Sequence, residues 1–262
     1  MSRPRSAGAG GSGRDAVRTR VVRSGRRTVL VHEQGAGPAI PAVLVHGIGV
    51  ARHYWAPLAA RLAGAGPVLT LELPGFGGAP KRPEHHHPPT IEEHAALVAA
   101  VLRDAGVPPV RLVGHSMGTQ IVAELAAQEP GLIAELALLG PVSDPAAPDA
   151  WRQGLRLARD TLGESAGANL AVFTDYARTG PRWYLRTLPF MLGYDLRAVL
   201  PRIPVPTVVL RGARDPIAPR RWAQDVAERL PRGRFAEVAG GRHVVQFTHP
   251  DAVAAELATG VP

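Results

Sequence analysis

The apolar run Val110-Arg111-Leu112-Val113 ends in Gly114-His115-Ser116-Met117-Gly118, a combination able to make a nucleophile. A serine at a sharp strand-to-helix turn is forced into a strained backbone conformation that lifts its hydroxyl clear of the sheet. The residues two before and two after it must be small, so that strand and helix can approach; Gly114 and Gly118 meet that requirement. The stretch from Met117 to about Gln128 reads as a helix, so its first amides and positive dipole end face any negative charge developing beside Ser116. A hydroxyl also needs a base, and the base an orienting acid. Asp215, in Gly212-Ala213-Arg214-Asp215-Pro216, and His243, after Gly240-Gly241-Arg242, follow in the order serine, aspartate, histidine that such an elbow uses. Asp144 is a second place for the acid and His249 for the base. The loop around Asp215 and the glycine pair ahead of His243 favour Asp215 and His243.

Attack by Ser116 on a carbonyl would create an oxyanion. The glycine-rich segment His46-Gly47-Ile48-Gly49 follows the apolar strand Ala42–Val45, so the backbone N–H of Ile48 is expected to join that of Met117 as the oxyanion hole. His46 reads as a packed, hydrogen-bonded histidine and His115 as a ring lying beneath the elbow. His85-His86-His87 are adjacent in an extended segment closed by Pro88-Pro89, a spacing that turns the rings different ways. No metal is expected there. The chain has no cysteine, which removes disulfides, thiolate metal sites and a cysteine nucleophile. No cofactor is expected.

These groups need a scaffold, and 262 residues, 45% hydrophobic and 20% charged, suffice for one globular core with an insertion. Residues 1–16, composed mainly of Gly, Ser, Ala and Arg, are expected to form a disordered tail. A hairpin follows, Arg18–Arg23 and Arg27–His32 around Ser24-Gly25. Beyond Ala42–Val45, helix signals cover Tyr54–Ala63, Ile91–Asp104 (with a Thr90/Glu93 capping box), Arg221–Leu230 and Pro250–Leu257. Apolar strands are expected at Val68–Leu73, Glu135–Gly140, Thr207–Leu210 and Arg234–Val238. This βαβ rhythm predicts an α/β fold with a mostly parallel sheet covered on both faces. The core is thus assigned to 17–142 and 201–262.

Residues 143–200 break the rhythm and read as a helical cap insertion. They hold seven of the thirteen aromatic residues, Trp151, Phe173, Tyr176, Trp183, Tyr184, Phe190 and Tyr194. Such enrichment fits a roof over an apolar pocket, with Trp183, Tyr184 and Phe173 as candidate substrate-binding residues. Arg182, beside Trp183, is a candidate carboxylate clamp. The other cap arginines, Arg152, Arg156, Arg159, Arg178, Arg186 and Arg197, read as a solvated outer face. The net charge of +8 is carried almost wholly by arginine, with Lys81 the only lysine. The arginines form no single stripe, so no nucleic-acid partner is expected. Neither a signal peptide nor a membrane span is legible, which leads to the expectation of a cytoplasmic protein acting on a small, apolar substrate, with no membrane insertion. The oligomeric state is not legible.

Taken together, His46-Gly47, Pro74-Gly75-Phe76-Gly77, Gly114-His115-Ser116-Met117-Gly118, Gly212-Ala213-Arg214-Asp215-Pro216 and His243 resemble the α/β-hydrolase superfamily over nearly all of 17–260. The resemblance implies the α/β-hydrolase fold, with Ser116 as nucleophile, His243 as base, Asp215 as orienting acid and a mobile helical cap. Serine in place of aspartate at the nucleophile position argues against the haloalkane dehalogenase and epoxide hydrolase branches. Glu72, Thr119, Arg242 and Thr248 depart from common family residues. The expected activity is cleavage of a carboxylic ester or lactone through an acyl-enzyme. Alternatives on the same triad are a thioesterase, an aminopeptidase, a carbon-carbon bond hydrolase (whose usual Asn and Trp are replaced by His115 and Val244), or a small-molecule receptor that retains the triad.

Overall fold

The computed structural model describes residues 17–81, 87–145 and 166–260. The tail 1–16, the pair His85-His86, and Trp151, Arg152, Arg156 and Arg159 lie outside the described residues. In chain order the elements are β1 (Arg18–Ser24), β2 (Arg27–Gln34), β3 (Ala42–Val45), α1 (Ala56–Ala63), β4 (Val68–Glu72), α2 (Ile91–Ala105), β5 (Val110–His115), α3 (Met117–Gln128) and β6 (Ile133–Leu139). They continue as α4 (Ala166–Thr179), α5 (Pro181–Gly193), α6 (Leu196–Val199), β7 (Thr207–Gly212), α7 (Arg220–Glu228), β8 (Gly233–Val238), α8 (Val245–Thr248) and α9 (Pro250–Ala258).

The strands form one eight-stranded sheet in the order β1-β2-β4-β3-β5-β6-β7-β8. β1 and β2 pair antiparallel and β2 joins β4 antiparallel; every other pair is parallel. Composition explains the difference. β3, β4 and β7 are buried at every residue, as a strand covered by helices on both faces requires. β1 carries three arginines and buries only Val22, which suits an edge.

One apolar cluster packs α2, α3 and α7 against the sheet, and a second packs α1 and α9 against its other face. α2 starts with the expected capping box, Glu93 N–H on Thr90 and Glu93 side chain on Thr90 N–H, and stops at Gly106 in the left-handed region. The expected helix from Tyr54 begins two residues later, because His53–Trp55 form a 3-10 turn ahead of α1. Pro57 lacks an N–H and is accommodated only within the first α-helical turn.

The parallel strands all point the same way, so their carboxyl ends make one edge. His46 follows β3, Ser116 follows β5, Gly140 follows β6, Asp215 lies just beyond β7 and His243 beyond β8. Between β6 and β7 the described chain is helical, α4 to α6, with no strand.

Candidate active site

Ser116 has φ 56 and ψ −122, a conformation that costs a non-glycine residue about 1–3 kcal/mol. Its surroundings hold it there: Ser116 N–H donates to Leu139 O at 3.0 Å, and its carbonyl accepts from Thr119 N–H at 2.9 Å and Thr119 Oγ1 at 2.6 Å. A Cβ on Gly114 would stand 2.4 Å from Gly118 O, and one on Gly118 would stand 2.3 Å from Val45 O. Neither position tolerates a side chain. Gly47 is equally constrained, since its Cβ would come within 2.9 Å of Ser116 Cβ; the loop after β3 therefore presses directly on the serine.

At the same edge His243 Nδ1 lies 2.8 Å from Asp215 Oδ2. The other carboxylate oxygen accepts from Ile217 N–H at 2.7 Å and Ala218 N–H at 3.0 Å. Burial alone would raise the Asp215 carboxyl, but the His243 charge, its hydrogen bond and the two amides outweigh burial and lower it. The carboxylate therefore stays ionised against His243. Two supports escaped the sequence reading. Arg211 donates to Ala218 O at 2.7 Å and to Asp215 O at 2.8 Å, and pairs with Glu237, so it braces the acid's loop. Gly140, with φ 57, lies under the pair; a Cβ there would be 3.1 Å from His243 Nδ1 and 3.3 Å from Asp215 Oδ2. Asp144 instead faces Arg221 at 3.4 Å. His249 is half-buried beside Thr248 Oγ1, at the head of α9, and makes no side-chain cap bond to it.

Met117 is the first residue of α3, so its N–H has no carbonyl to meet within the helix. Ile48 stands on the loop opposite. That loop is tied to His243 by a buried chain: Gly47 N–H donates to Tyr54 Oη at 2.9 Å, Tyr54 Oη lies 3.2 Å from His115 Nδ1, and His115 Nε2 lies 2.9 Å from His243 O. Because the His243 carbonyl only accepts, Nε2 of His115 carries the proton and Nδ1 accepts from Tyr54. Burial, aided by the His243 charge, pushes His115 down to about 3. His46 is likewise neutral, lowered by burial, with Nδ1 on Gly47 O at 2.7 Å and Nε2 accepting from Leu73 N–H at 3.0 Å. Both are structural rings, as their sequence context implied. At Glu72 burial is again outweighed, by His32 and by Gly78 N–H at 2.8 Å, and the carboxyl is held at about 2.

The model of the alpha/beta hydrolase family matches residues 42–256. The chain belongs to that family. Among its relatives are the pimeloyl-[acyl-carrier protein] methyl ester esterases of Neisseria meningitidis serogroup A and Aromatoleum aromaticum. Each is 28% identical, over 81% and 80% of this chain and 73% and 93% of theirs. The enol-lactonase of Burkholderia xenovorans LB400 superposes with a TM-score of 0.78 at 20% identity, covering 92% of this chain and 100% of its own.

In this hydrolase the helices between β6 and β7 meet the site loops through aromatic rings. A Cβ on Gly75 would lie 2.1 Å from Trp183 Cε2, and one on Gly49 would lie 2.4 Å from Tyr176 and 2.9 Å from Tyr184. Tyr176 and Tyr184 stack edge-on at 5.6 Å. Thus Trp183 and Tyr184 sit against the site loops, with Tyr176 beside them. Phe173 and Arg182 do not. Phe173 is 53% exposed, because the inward stripe of α4 runs Ala168, Val172, Asp175, Thr179, and Phe173 falls one residue, about 100°, off it. Arg182 is exposed for the same reason, one position from the buried Trp183. Phe173 still stands edge-on to Tyr176, with ring centroids 6.4 Å apart. Arg178 and Arg186 are exposed as expected, whereas Arg197 is half-buried, paired with Asp225 at 3.0 Å and lying over the Trp222 ring. Among the described residues no group of three metal-ligating side chains is arranged to hold a metal ion, and no helix is long and apolar enough to cross a membrane.

Proposed function

We propose that this protein is a cytoplasmic serine hydrolase that cleaves a small carboxylic ester or lactone through an acyl-enzyme. His243 takes the proton of Ser116 as Oγ attacks the carbonyl carbon, and the amides of Ile48 and Met117 receive the oxyanion. Collapse breaks the bond to the alcohol, which leaves with the proton from His243. Water, activated by the same histidine, then frees the acid and restores the serine. Asp215 fixes the imidazole orientation and stabilises its charged form. Residues 143–200 act as the cap over the site, with Trp183 and Tyr184, assisted by Tyr176, forming an apolar wall that favours uncharged substrate groups.

The observation that carries this reading is the 2.8 Å His243–Asp215 contact at the same sheet edge as a serine held at φ 56. The ester-cleaving relatives support the choice of bond. The test is a fluorophosphonate probe combined with steady-state assays on p-nitrophenyl esters. One adduct on Ser116 and sustained multiple turnovers are expected; labelling undiminished in Ser116→Ala, or binding without turnover, overturns the reading.

A further inference from the structure

The side chains that fix Ile48 in place include two that come from outside the sheet. Asp175, on α4, is fully buried yet charged in type. Its Oδ2 accepts from Ala51 N–H at 2.9 Å, and its Oδ1 lies 2.8 Å from His53 Nδ1. One helical turn later Thr179 Oγ1 donates to Gly49 O at 2.9 Å. These two contacts bracket Ile48 on its C-terminal side, while Tyr54 holds Gly47 on the other. Between them the ring of Tyr176 closes the space over Gly49, which has φ 82 and no room for a side chain. The end of α4 is pinned in turn by Lys81, the only lysine of the chain, whose Nζ donates to Arg178 O at 2.8 Å and to Thr179 O.

We propose that Asp175 and Thr179 are positioning residues for the oxyanion loop, so that the helices between β6 and β7 and the Ile48 amide are set as one unit. The physical case rests on what the loop lacks. Residues 46–52 contain two glycines and form no regular ladder beyond β3, so their own backbone does not define where the Ile48 N–H points. A carboxylate accepting from a backbone amide makes a charge-assisted bond, roughly twice as strong as a neutral one. At a site that is fully buried, such a bond has no water to compete with it. A helix shifted away from the sheet would take Asp175 and Thr179 with it and release the loop. Oxyanion stabilisation, and with it acyl transfer, would then require these helices to be seated.

This inference rests on the serine-hydrolase reading above, and the experiment separates the two. Asp175→Ala, Thr179→Val and the conservative Thr179→Ser are compared with the parent on a p-nitrophenyl ester. Inhibition by phenylboronic acid, which forms a charged tetrahedral adduct on an active-site serine, is measured alongside. Leu170→Ala, on the exposed face of α4, is the control and keeps parental rates. Removing a donor from an oxyanion hole costs about 100- to 1000-fold in kcat, and mispositioning one is expected to cost about 10- to 100-fold. We expect that loss in kcat for Asp175→Ala and Thr179→Val, with KM within about two-fold and boronate inhibition weakened in step. Thr179→Ser should recover most of it. A folded Asp175→Ala or Thr179→Val with parental kcat and parental boronate affinity overturns the proposal; Thr179→Val, the isosteric and milder change, decides the matter if Asp175→Ala does not fold. A fall confined to KM or to thermal stability also overturns it. If the parent itself shows no Ser116 labelling, the hydrolase reading fails, independently of these variants.

Discussion

The sheet edge and the helices between β6 and β7 are held in opposite ways. At the edge, the polar atoms around the serine, histidine and aspartate are satisfied by neighbouring loops over short distances: Leu139 O on Ser116, two amides and a histidine on Asp215, a carbonyl on His115. Gly47, Gly114, Gly118 and Gly140 stand where a Cβ would collide, so the loops interlock at backbone distance. The helices instead combine packing of Trp183, Met191, Leu196 and Val199 on the core with a few long-range polar ties. Gln120 and Ser143 both reach Met191 O at 2.9 Å, Tyr194 reaches Glu124, and Asp175 and Thr179 reach the loop after β3. A close-packed interior resists change, while a surface joined by discrete polar ties has alternative arrangements available. Chemistry should therefore be sensitive to single atoms at the edge, and selectivity to the placement of the helices.

The largest effect expected from breaking that contrast lies in Asp215→Asn. The fold should persist, since Ile217 and Ala218 N–H can still donate to the amide oxygen. The rate should nevertheless fall by about three to four orders of magnitude, because the NH2 group then faces His243 Nδ1, cannot accept a hydrogen bond from its N–H, and leaves the imidazole in the wrong tautomer. Asp144→Asn, next to Arg221, should leave kcat within a few-fold. Steady-state kinetics on one ester decides between them, and the reverse ranking would move the acid to Asp144.

A second effect is thermodynamic and belongs to the sheet and its supporting helix. His94 and His115 are fully buried, and burial lowers both from 6.5 to about 3. An unfolded chain takes up these protons as pH falls through 6.5, whereas the folded chain resists until about 3, so stability is lost across that window and is flat above it. Glu72, lowered from 4.5 to about 2, adds a further loss as pH falls below 4.5. Urea midpoints between pH 7.5 and 4 should show the decline. His94 has both ring nitrogens unpartnered among the described residues, so His94→Leu should be neutral or stabilising at pH 7 and make the decline shallower. An unchanged slope would count against the buried neutral ring.

The same contrast accounts for what was legible in the sequence. Gly114, Ser116, Gly118 and the Thr90/Glu93 cap are local patterns, and local rules of sterics and capping read them directly. Tyr54, Gly140 and Asp175 act across 61, 103 and 124 residues of chain, and nothing near them in sequence marks the partner. Asp175 did leave one trace, an acidic residue on the apolar stripe of α4. The exposure of Phe173 and Arg182 was illegible for a different reason. Aromatic enrichment says that a helix buries rings, but the rotation of the helix is set by what it docks against, and composition carries no azimuth.

That rotation makes the smallest predicted effect informative. If α5 presents Trp183 to Gly75 and turns Arg182 to solvent, then Arg182→Ala should change neither the ranking of substrates nor stability beyond about 0.5 kcal/mol, the usual range for exposed positions. Phe173→Ala on α4 should behave the same way. The internal contrast is Trp183→Ala, which removes an apolar wall and should alter discrimination between acyl groups by about 1–3 kcal/mol, the scale on which apolar pockets sort substrates. A panel of neutral and carboxylate-bearing p-nitrophenyl esters, read as relative kcat/KM, places the three variants on one scale. A carboxylate preference in the parent that disappears in Arg182→Ala would show that the guanidinium swings inward over the site. Equal and negligible effects from all three would detach the helices from substrate choice and leave them the single task of holding the loop at Ile48.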